Sequence, residues 1–285
     1  MGSFSHIHQA DLPLLLKEIP DPPTDLYIRG SLPPQDHYLL AVVGSRKMSR
    51  YGREACEYII NGLTGLPISI VSGLALGIDG VAHRAALTAG LHTIAIPGSG
   101  VDDSVLYPRS HRGLANDILK AGGAILSEES PTFCARPESF PKRNRIMAGI
   151  AHATLVVEAK ERSGTMITAR LALDYNRDLL CVPHPIFSES GTGGHIYMKL
   201  GGAPVRSAED IKELFNLDTP EKGHTHTANL SDVENKVINI LSEPIPRDEL
   251  IRTLKIPIHE ANALLLGMEL KGLLEETSGE IRRKK

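Results

Sequence analysis

The chain has 285 residues and carries 31 Lys and Arg against 34 Asp and Glu, a formal net charge of −3, which excludes a globally basic nucleic-acid binder. With 41% hydrophobic and 23% charged residues it has globular composition and is long enough for one large domain, or a large and a small one. Aromatics make up only 4%, with no Trp, so few rings are available as base-stacking platforms.

Cys56, Cys134 and Cys181 are odd in number and far apart, which fits neither a disulfide framework nor a CxxC metal knuckle and points to a reducing cytoplasm. No stretch approaches the roughly 18 consecutive apolar residues of a membrane span, and the first residues lack a basic segment followed by an apolar run. We therefore expect no membrane partner.

Residues 1–36 are expected to be an extension leading into a sheet domain. Within residues 12–34, the run Leu-Pro-Leu-Leu-Leu-Lys-Glu-Ile-Pro-Asp-Pro-Pro from Leu12 predicts a short helix stopped by prolines and followed by an extended Leu26-Tyr27-Ile28. Short apolar runs follow at Tyr38–Val43, Ile68–Val71, Thr93–Ile96, Ala124–Leu126, Thr154–Val157 and Leu179–Val182. They lack alternation, as parallel strands covered on both faces do. Helix-period stretches lie between them at Tyr51–Leu63, Asp79–Ala89, Arg112–Ala121, Asn144–Ala151 and Thr165–Tyr175. Strand and helix repeated this way predict a Rossmann-like, doubly wound and mostly parallel α/β sheet over residues 37–215.

Residues 216–229 are polar and contain Pro220, Gly223, His224 and His226, the expected linker. Residues 230–285 have helical stretches at Ser231–Leu241, Arg247–Leu254 and Ile258–Leu274, a break at Ile256-Pro257 and a strand-like end, the cadence of a winged helix. That segment holds nine basic and ten acidic residues, 9 − 10 = −1, which argues against a duplex reader and leaves Arg282-Arg283-Lys284-Lys285 as a solvated end.

The chemistry-bearing motifs sit at strand ends. Gly44-Ser45-Arg46 closes the first strand, where a glycine turn, a helix N-terminus and a guanidinium could receive an anion; a solvated turn is the alternative. Ser72-Gly73-Leu74-Ala75-Leu76-Gly77-Ile78-Asp79 follows the second. There Gly73 permits close backbone approach and Asp79 is placed as the cap of the next helix. Asp79 and His83 have i, i+4 metal-pair spacing but no visible third ligand, so capping plus a packed histidine is favoured. Pro97-Gly98-Ser99-Gly100 and Tyr107-Pro108 form further turns.

Phe140-Pro141-Lys142-Arg143-Asn144-Arg145 is the densest basic cluster of the sheet domain. Lys142 and Arg143 clamping phosphate, with a base stacked on Phe140 held out by a proline-stiffened loop, is a coherent single-strand site; a core Phe beside solvated cations is the alternative. Ser163-Gly164-Thr165 offers another small-residue helix start. There is no GxGxxG and no GxxxxGK[ST], and no cofactor or metal is expected.

Taken in order, Gly-Ser-Arg, Ser-Gly-Leu-Ala-x-Gly-Ile-Asp-x-x-Ala-His, Pro-Gly-Ser-Gly, Tyr-Pro, Ser-Glu, Phe-Pro-x-Arg-Asn-Arg-Ile and Ser-Gly-Thr-x-x-Thr-Ala resemble the DNA-processing protein A family, DprA/Smf. The resemblance runs from Leu12 to about Ala203, with Tyr27-Ile28-Arg29-Gly30 as a lead-in. It implies a non-catalytic protein that binds and protects single-stranded DNA and loads RecA during natural transformation, as a homodimer formed through the sheet domain. By motif it also implies DNA contacts at Ser45, Arg46, Phe140, Arg143 and Asn144. Lys142 and, more weakly, Arg136 are added as neighbours, and Gly73, Ser163, Gly164 and Thr165 as backbone approaches.

Two departures stand out. Pro183-His184-Pro185 replaces the family's Pro-Gly, and Gly191-Thr192-Gly193-Gly194-His195 replaces its Gly-Thr-Asn. Many members also carry an N-terminal SAM-like domain, whereas eleven residues precede Leu12, so none is expected here. The competing enzyme reading is a Rossmann-like phosphoribohydrolase of the lysine-decarboxylase-like type. It requires Pro-Gly-Gly-x-Gly-Thr-x-x-Glu, which Ser163-Gly164-Thr165 does not complete.

Overall fold

A computed structural model describes residues 4–217, 232–241, 244–270, 273–277 and 279–283. Two units divide the chain, residues 1–218 and 219–285.

The first unit runs β1 Ser5–His8, α1 Leu14–Lys17, β2 Asp25–Gly30, β3 Tyr38–Gly44, α2 Arg50–Asn61, β4 Ile68–Ser72, α3 Ile78–Thr88, β5 Thr93–Ala95, α4 Arg112–Lys120 and β6 Ala124–Ser127. It continues with α5 Ser139–Ile150, β7 Ala153–Glu158, α6 Gly164–Asp174, β8 Asp178–Cys181, α7 Thr192–Lys199, β9 Ala203–Pro204 and α8 Ala208–Leu214. These strands form one nine-stranded sheet ordered β1-β2-β6-β5-β4-β3-β7-β8-β9. From β6 to β9 all neighbours pair in parallel, and β2 and β1 close one edge antiparallel. Strand order reverses between β3 and β7, the switch point of a doubly wound fold.

Burial on both faces explains the unbroken apolar strands. In β3, Leu39, Ala41 and Val43 enter one core cluster, while Leu40 and Val42 enter the other. β8 divides its side chains the same way, with Leu179 and Cys181 on one face and Leu180 on the other. Helices α2, α3 and α8 cover the second cluster through Ile59, Ile60, Ala82, Ala86 and Ile211, and α5 and α6 cover the first through Ile146, Met147, Ile150, Ala169 and Ala172.

The six expected strands and five expected helices are all present, with boundaries shifted by a few residues. Residues 4–36 are more than a lead-in, since β1 and β2 are strands of the sheet and Leu16, Leu26 and Ile28 belong to its core.

In the second unit, α9 Asp232–Ile240, β10 Ile245–Pro246, α10 Arg247–Leu254, α11 Ile258–Leu270, β11 Leu274–Thr277 and β12 Glu280–Arg283 enclose their own core of Val237, Leu250, Leu254, Leu265 and Ile281. A three-stranded sheet ordered β10-β12-β11 supplies the wing. The expected long helix ends at Leu270, and Leu274 begins β11. Most of the expected linker (218–229), together with Ser231, Gly272, Lys284 and Lys285, lies outside the described residues.

Candidate nucleic-acid interface

Loops leaving the carboxyl ends of β3, β4 and β5 meet the start of α5. Arg46, Gly73 and Phe140, singled out from sequence, line one cleft there; Ala75, Leu76, Tyr107 and Pro108 complete its wall. The Arg46 guanidinium lies over the Phe140 ring, 4.9 Å from its centroid, and the Tyr107 ring stands 5.8 Å from it. Leu76 and Tyr107 remain 48% and 49% exposed, large apolar groups facing solvent at a cationic cleft.

Phe140 differs from expectation in its support. It belongs to the first turn of α5, with Pro141 third in the helix, where a missing N–H costs nothing. Its half-buried ring rests on Gly98, where an added Cβ would fall 2.6 Å from the ring, and Ser139 Oγ donates to the Gly98 carbonyl at 2.5 Å. A rigid helix turn, rather than a stiff loop, therefore presents the ring.

Residues 73–75 are held by partners on both sides. Gly73 N and Ala75 N donate to Asp79 Oδ2 at 3.1 and 3.3 Å, Arg143 Nη1 donates to Gly73 O at 2.7 Å, and His111 Nδ1 donates to Leu74 O at 2.8 Å. These contacts hold Leu74 at φ 59°, a left-handed conformation that costs a branched residue about 1–2 kcal/mol. Gly73 is required because a Cβ would lie 2.5 Å from Asp79 and 2.6 Å from Arg143. Asp79 is the second residue of α3 rather than its cap, and its carboxylate turns back to the loop. Burial raises the Asp79 pKa, against the opposing pull of Arg143 and the two N–H groups.

The basic cluster is rearranged by this packing. Arg143, expected as a phosphate clamp, is 7% exposed and binds Gly73 O, Ile96 O and the Asn144 side chain, with burial lowering its pKa to about 10. Asn144 is buried too and donates to Gly164 O at 3.5 Å. Lys142 is exposed but pairs with Glu128 and Glu129 at 3.2 and 3.1 Å, and Arg145 is buried against Glu128 and Asp21. Arg136 covers Phe133 at 5.5 Å and is not among the cleft's lining residues. Arg46, by contrast, is exposed and makes no ion pair among the described residues.

Ser45 organises the turn: its N–H donates to Glu158 O at 2.8 Å, its carbonyl accepts from Ile78 N at 3.1 Å, and its hydroxyl accepts from Lys47 N. The α2 N-terminus, expected to receive an anion, already holds one. The buried Glu158 carboxylate accepts from Ser49 N and Oγ at 3.0 and 2.9 Å, and Ser49 caps the helix at Gly52 N. That disfavours a nucleotide phosphate at the switch point, as the phosphoribohydrolase alternative would need. Ser163 is the N-cap residue of α6 and Gly164 and Thr165 begin it, all three outside the cleft lining, with Gly164 O accepting from Asn144.

Asp79 and His83 form no metal pair. His83 is buried with Nδ1 2.8 Å from Thr93 Oγ1, and burial, aided by His111, lowers its pKa to about 3. The unfolded chain therefore gains a proton near pH 6.5 that the native state refuses until about pH 3, so this contribution to stability is lost as pH falls through that window. Between pH 7 and 5 wild type should lose about 2 kcal/mol more than His83→Gln. Denaturant titrations showing equal losses for both proteins would refute this.

Sequence patterning missed Tyr107, Leu76 and Gly98 as site residues. Tyr107-Pro108 and Pro97-Gly98 were visible as turns, but nothing local placed them beside Phe140.

Fold and cleft together define a Rossmann-like α/β protein with a cationic, aromatic cleft at its strand ends and a separate winged helix. Residues 3–216 match the family model of DNA recombination-mediator protein A, and residues 221–280 match that of the DprA winged helix domain. The chain belongs to the DNA recombination-mediator protein A family. It is 36% identical over 269 residues to Protein Smf of Escherichia coli K12, covering 91% of this chain and 71% of that protein. It is 40% identical over 202 residues to DNA processing protein DprA of Streptococcus pneumoniae R6, covering 71% and 70%. The solved DprA structure from Streptococcus pneumoniae superposes with a TM-score of 0.69 at 37% identity, over 74% of each chain. That of DNA processing protein A from Helicobacter pylori, described for its single-stranded DNA binding mode, gives 0.66 at 26% identity, over 76% of this chain and 97% of that one.

Proposed function

We propose that this chain is a single-stranded DNA-binding recombination mediator without catalytic activity of its own. The observation that carries this is the cleft in which an unpaired Arg46 overlies Phe140 beside Tyr107 and Leu76. A guanidinium neutralises a phosphate while a neighbouring ring receives a base, the combination single strands require. The Helicobacter pylori relative's single-strand binding supports the same assignment.

Gly73 lines this cleft and Ser45, Arg143 and Asn144 shape it from behind, while Lys142, Arg136 and Ser163–Thr165 offer contacts along a longer strand. Phe140→Ala should weaken oligothymidylate binding roughly tenfold, as loss of one stacked base predicts, with Phe140→Tyr close to wild type. Fluorescence anisotropy finding Phe140→Ala unchanged would remove the cleft from the binding site.

In the same reading the protein protects incoming DNA, passes it to RecA during natural transformation and acts in the cytoplasm as a homodimer. The strongly exposed Ile186, Phe187 and Leu200 supply apolar surface suited to a second copy. A single-chain mass by light scattering at micromolar concentration would exclude the dimer. RecA filament growth on coated single strands that this protein leaves unchanged would exclude the loading role.

Among the described residues no helix is long and apolar enough to cross a membrane.

A further inference from the structure

The outer edge of the sheet carries a group of side chains that the DNA cleft does not use. Strand β1 reads Ser-His-Ile-His, so His6 and His8 project to one face and Ile7 to the other, where it packs against the core. The antiparallel register sets His8 opposite Asp25 and His6 opposite Tyr27, which brings both imidazoles and the Asp25 carboxylate onto the same face. His6 Nε2 and His8 Nδ1 lie 3.3 and 3.1 Å from the same oxygen, Asp25 Oδ1, and the three donor atoms are all within 4.8 Å of one another. The His6 ring is seated on Tyr27 at 4.8 Å and touches the His8 ring edge-on at 4.4 Å, while Phe4 braces Tyr27 at 6.0 Å.

We propose that His6, His8 and Asp25 form a binding site for a divalent transition-metal ion, with Zn2+ the best fit. Bond lengths of about 2.0–2.1 Å to nitrogen and oxygen place the donors of a tetrahedral zinc about 3.3 Å apart. The two nitrogen-to-oxygen separations, 3.3 and 3.1 Å, lie close to that value. Two neutral imidazoles and one carboxylate suit Zn2+, Ni2+ or Cu2+, whereas Mg2+ and Ca2+ require oxygen donors. Three ligands from two neighbouring strands would leave the fourth position to water. The ion would then tie β1, an edge strand of four residues, to β2. This site is independent of the proposed DNA-binding role.

Calorimetric titration of the chelator-treated full chain with ZnCl2 is expected to show one site per chain, and Mg2+ none. His6→Ala and His8→Ala should each weaken it by at least about tenfold and abolish the zinc-dependent rise in melting temperature. Because the chain carries 12 histidines, His184→Ala/His195→Ala serves as the control and should bind as wild type does.

Circular dichroism checks that the variants fold. Should they not, Cu2+ electron paramagnetic resonance on the unaltered protein reads the ligands directly and should show two coordinated nitrogens. No binding by about 100 μM metal, binding that survives loss of both His6 and His8, or a Cu2+ spectrum with fewer than two nitrogens would each overturn the proposal.

Discussion

Arg46→Ala should weaken binding of oligothymidylate by at least about tenfold and reduce the slope of log K against log salt by about 0.7, the signature of one lost phosphate contact on a single strand. The size follows from what surrounds the residue. Lys142 is held by Glu128 and Glu129, Arg145 by Glu128 and Asp21, and Arg143 is buried with Asp79. An anion entering the cleft therefore meets Arg46 as the lining cation that no carboxylate neutralises. Its planar group also covers Phe140, so removal strips a phosphate donor and the ring's cationic neighbour together. Arg46→Lys should restore the salt slope but only part of the affinity, because an ammonium supplies charge without a plane. Gel-shift titrations at three salt concentrations measure both quantities. A slope unchanged in Arg46→Ala would show that phosphate is held elsewhere.

The second large effect concerns stability. Arg143→Met leaves Asp79 buried with its charge partner gone and the Gly73 carbonyl without its donor. Removing the opposite charge near a buried carboxylate costs about 3–5 kcal/mol, which corresponds to a fall of roughly 10 °C in melting temperature for a unit of this size. Single-strand binding should be lost as well, since residues 73–75 form one wall of the cleft. The variant separates a positioning role from a direct phosphate contact. Asp79→Asn/Arg143→Met should regain part of the lost stability, because it no longer buries an unpaired carboxylate. A surface clamp would show neither the melting change nor the rescue. Differential scanning calorimetry of the single and double variants decides between them, and an Arg143→Met melting temperature equal to wild type would sink the positioning role.

Much of the sheet was legible because its strands are buried on both faces, so Tyr38–Val43 or Leu179–Val182 must be apolar throughout. β1 was not, because an edge strand with one face in water needs only Ile7 inward and leaves His6 and His8 outside. Arg46, Gly73 and Phe140 could be selected as residues, since turn glycines at strand ends and a ring beside cations have local signatures. Their meeting in one cleft could not, nor could the part played by Tyr107, 33 positions before Phe140 in the chain.

Arg143 shows where sequence patterning misleads. Lys142 and Arg143 are adjacent, but successive helix positions turn by about 100°, so one faces solvent and the other enters the core. The uniformly apolar run Ile146–Ala151 that follows was the available signal that α5 is buried all round from Arg143 to its end.

Sequence by itself determined the strand and helix alternation, the winged-helix cadence, the family resemblance and a net charge of −3. It could not determine how that charge is distributed. Opposite charges that cancel in composition also cancel in space only where packing brings them within a few ångströms, and only the tertiary structure decided which cations are spent on Glu128, Glu129, Asp21 and Asp79. Among the residues that line the cleft, the cation left without an ion pair is Arg46, exposed over a ring at the strand ends, in a protein whose overall balance is acidic.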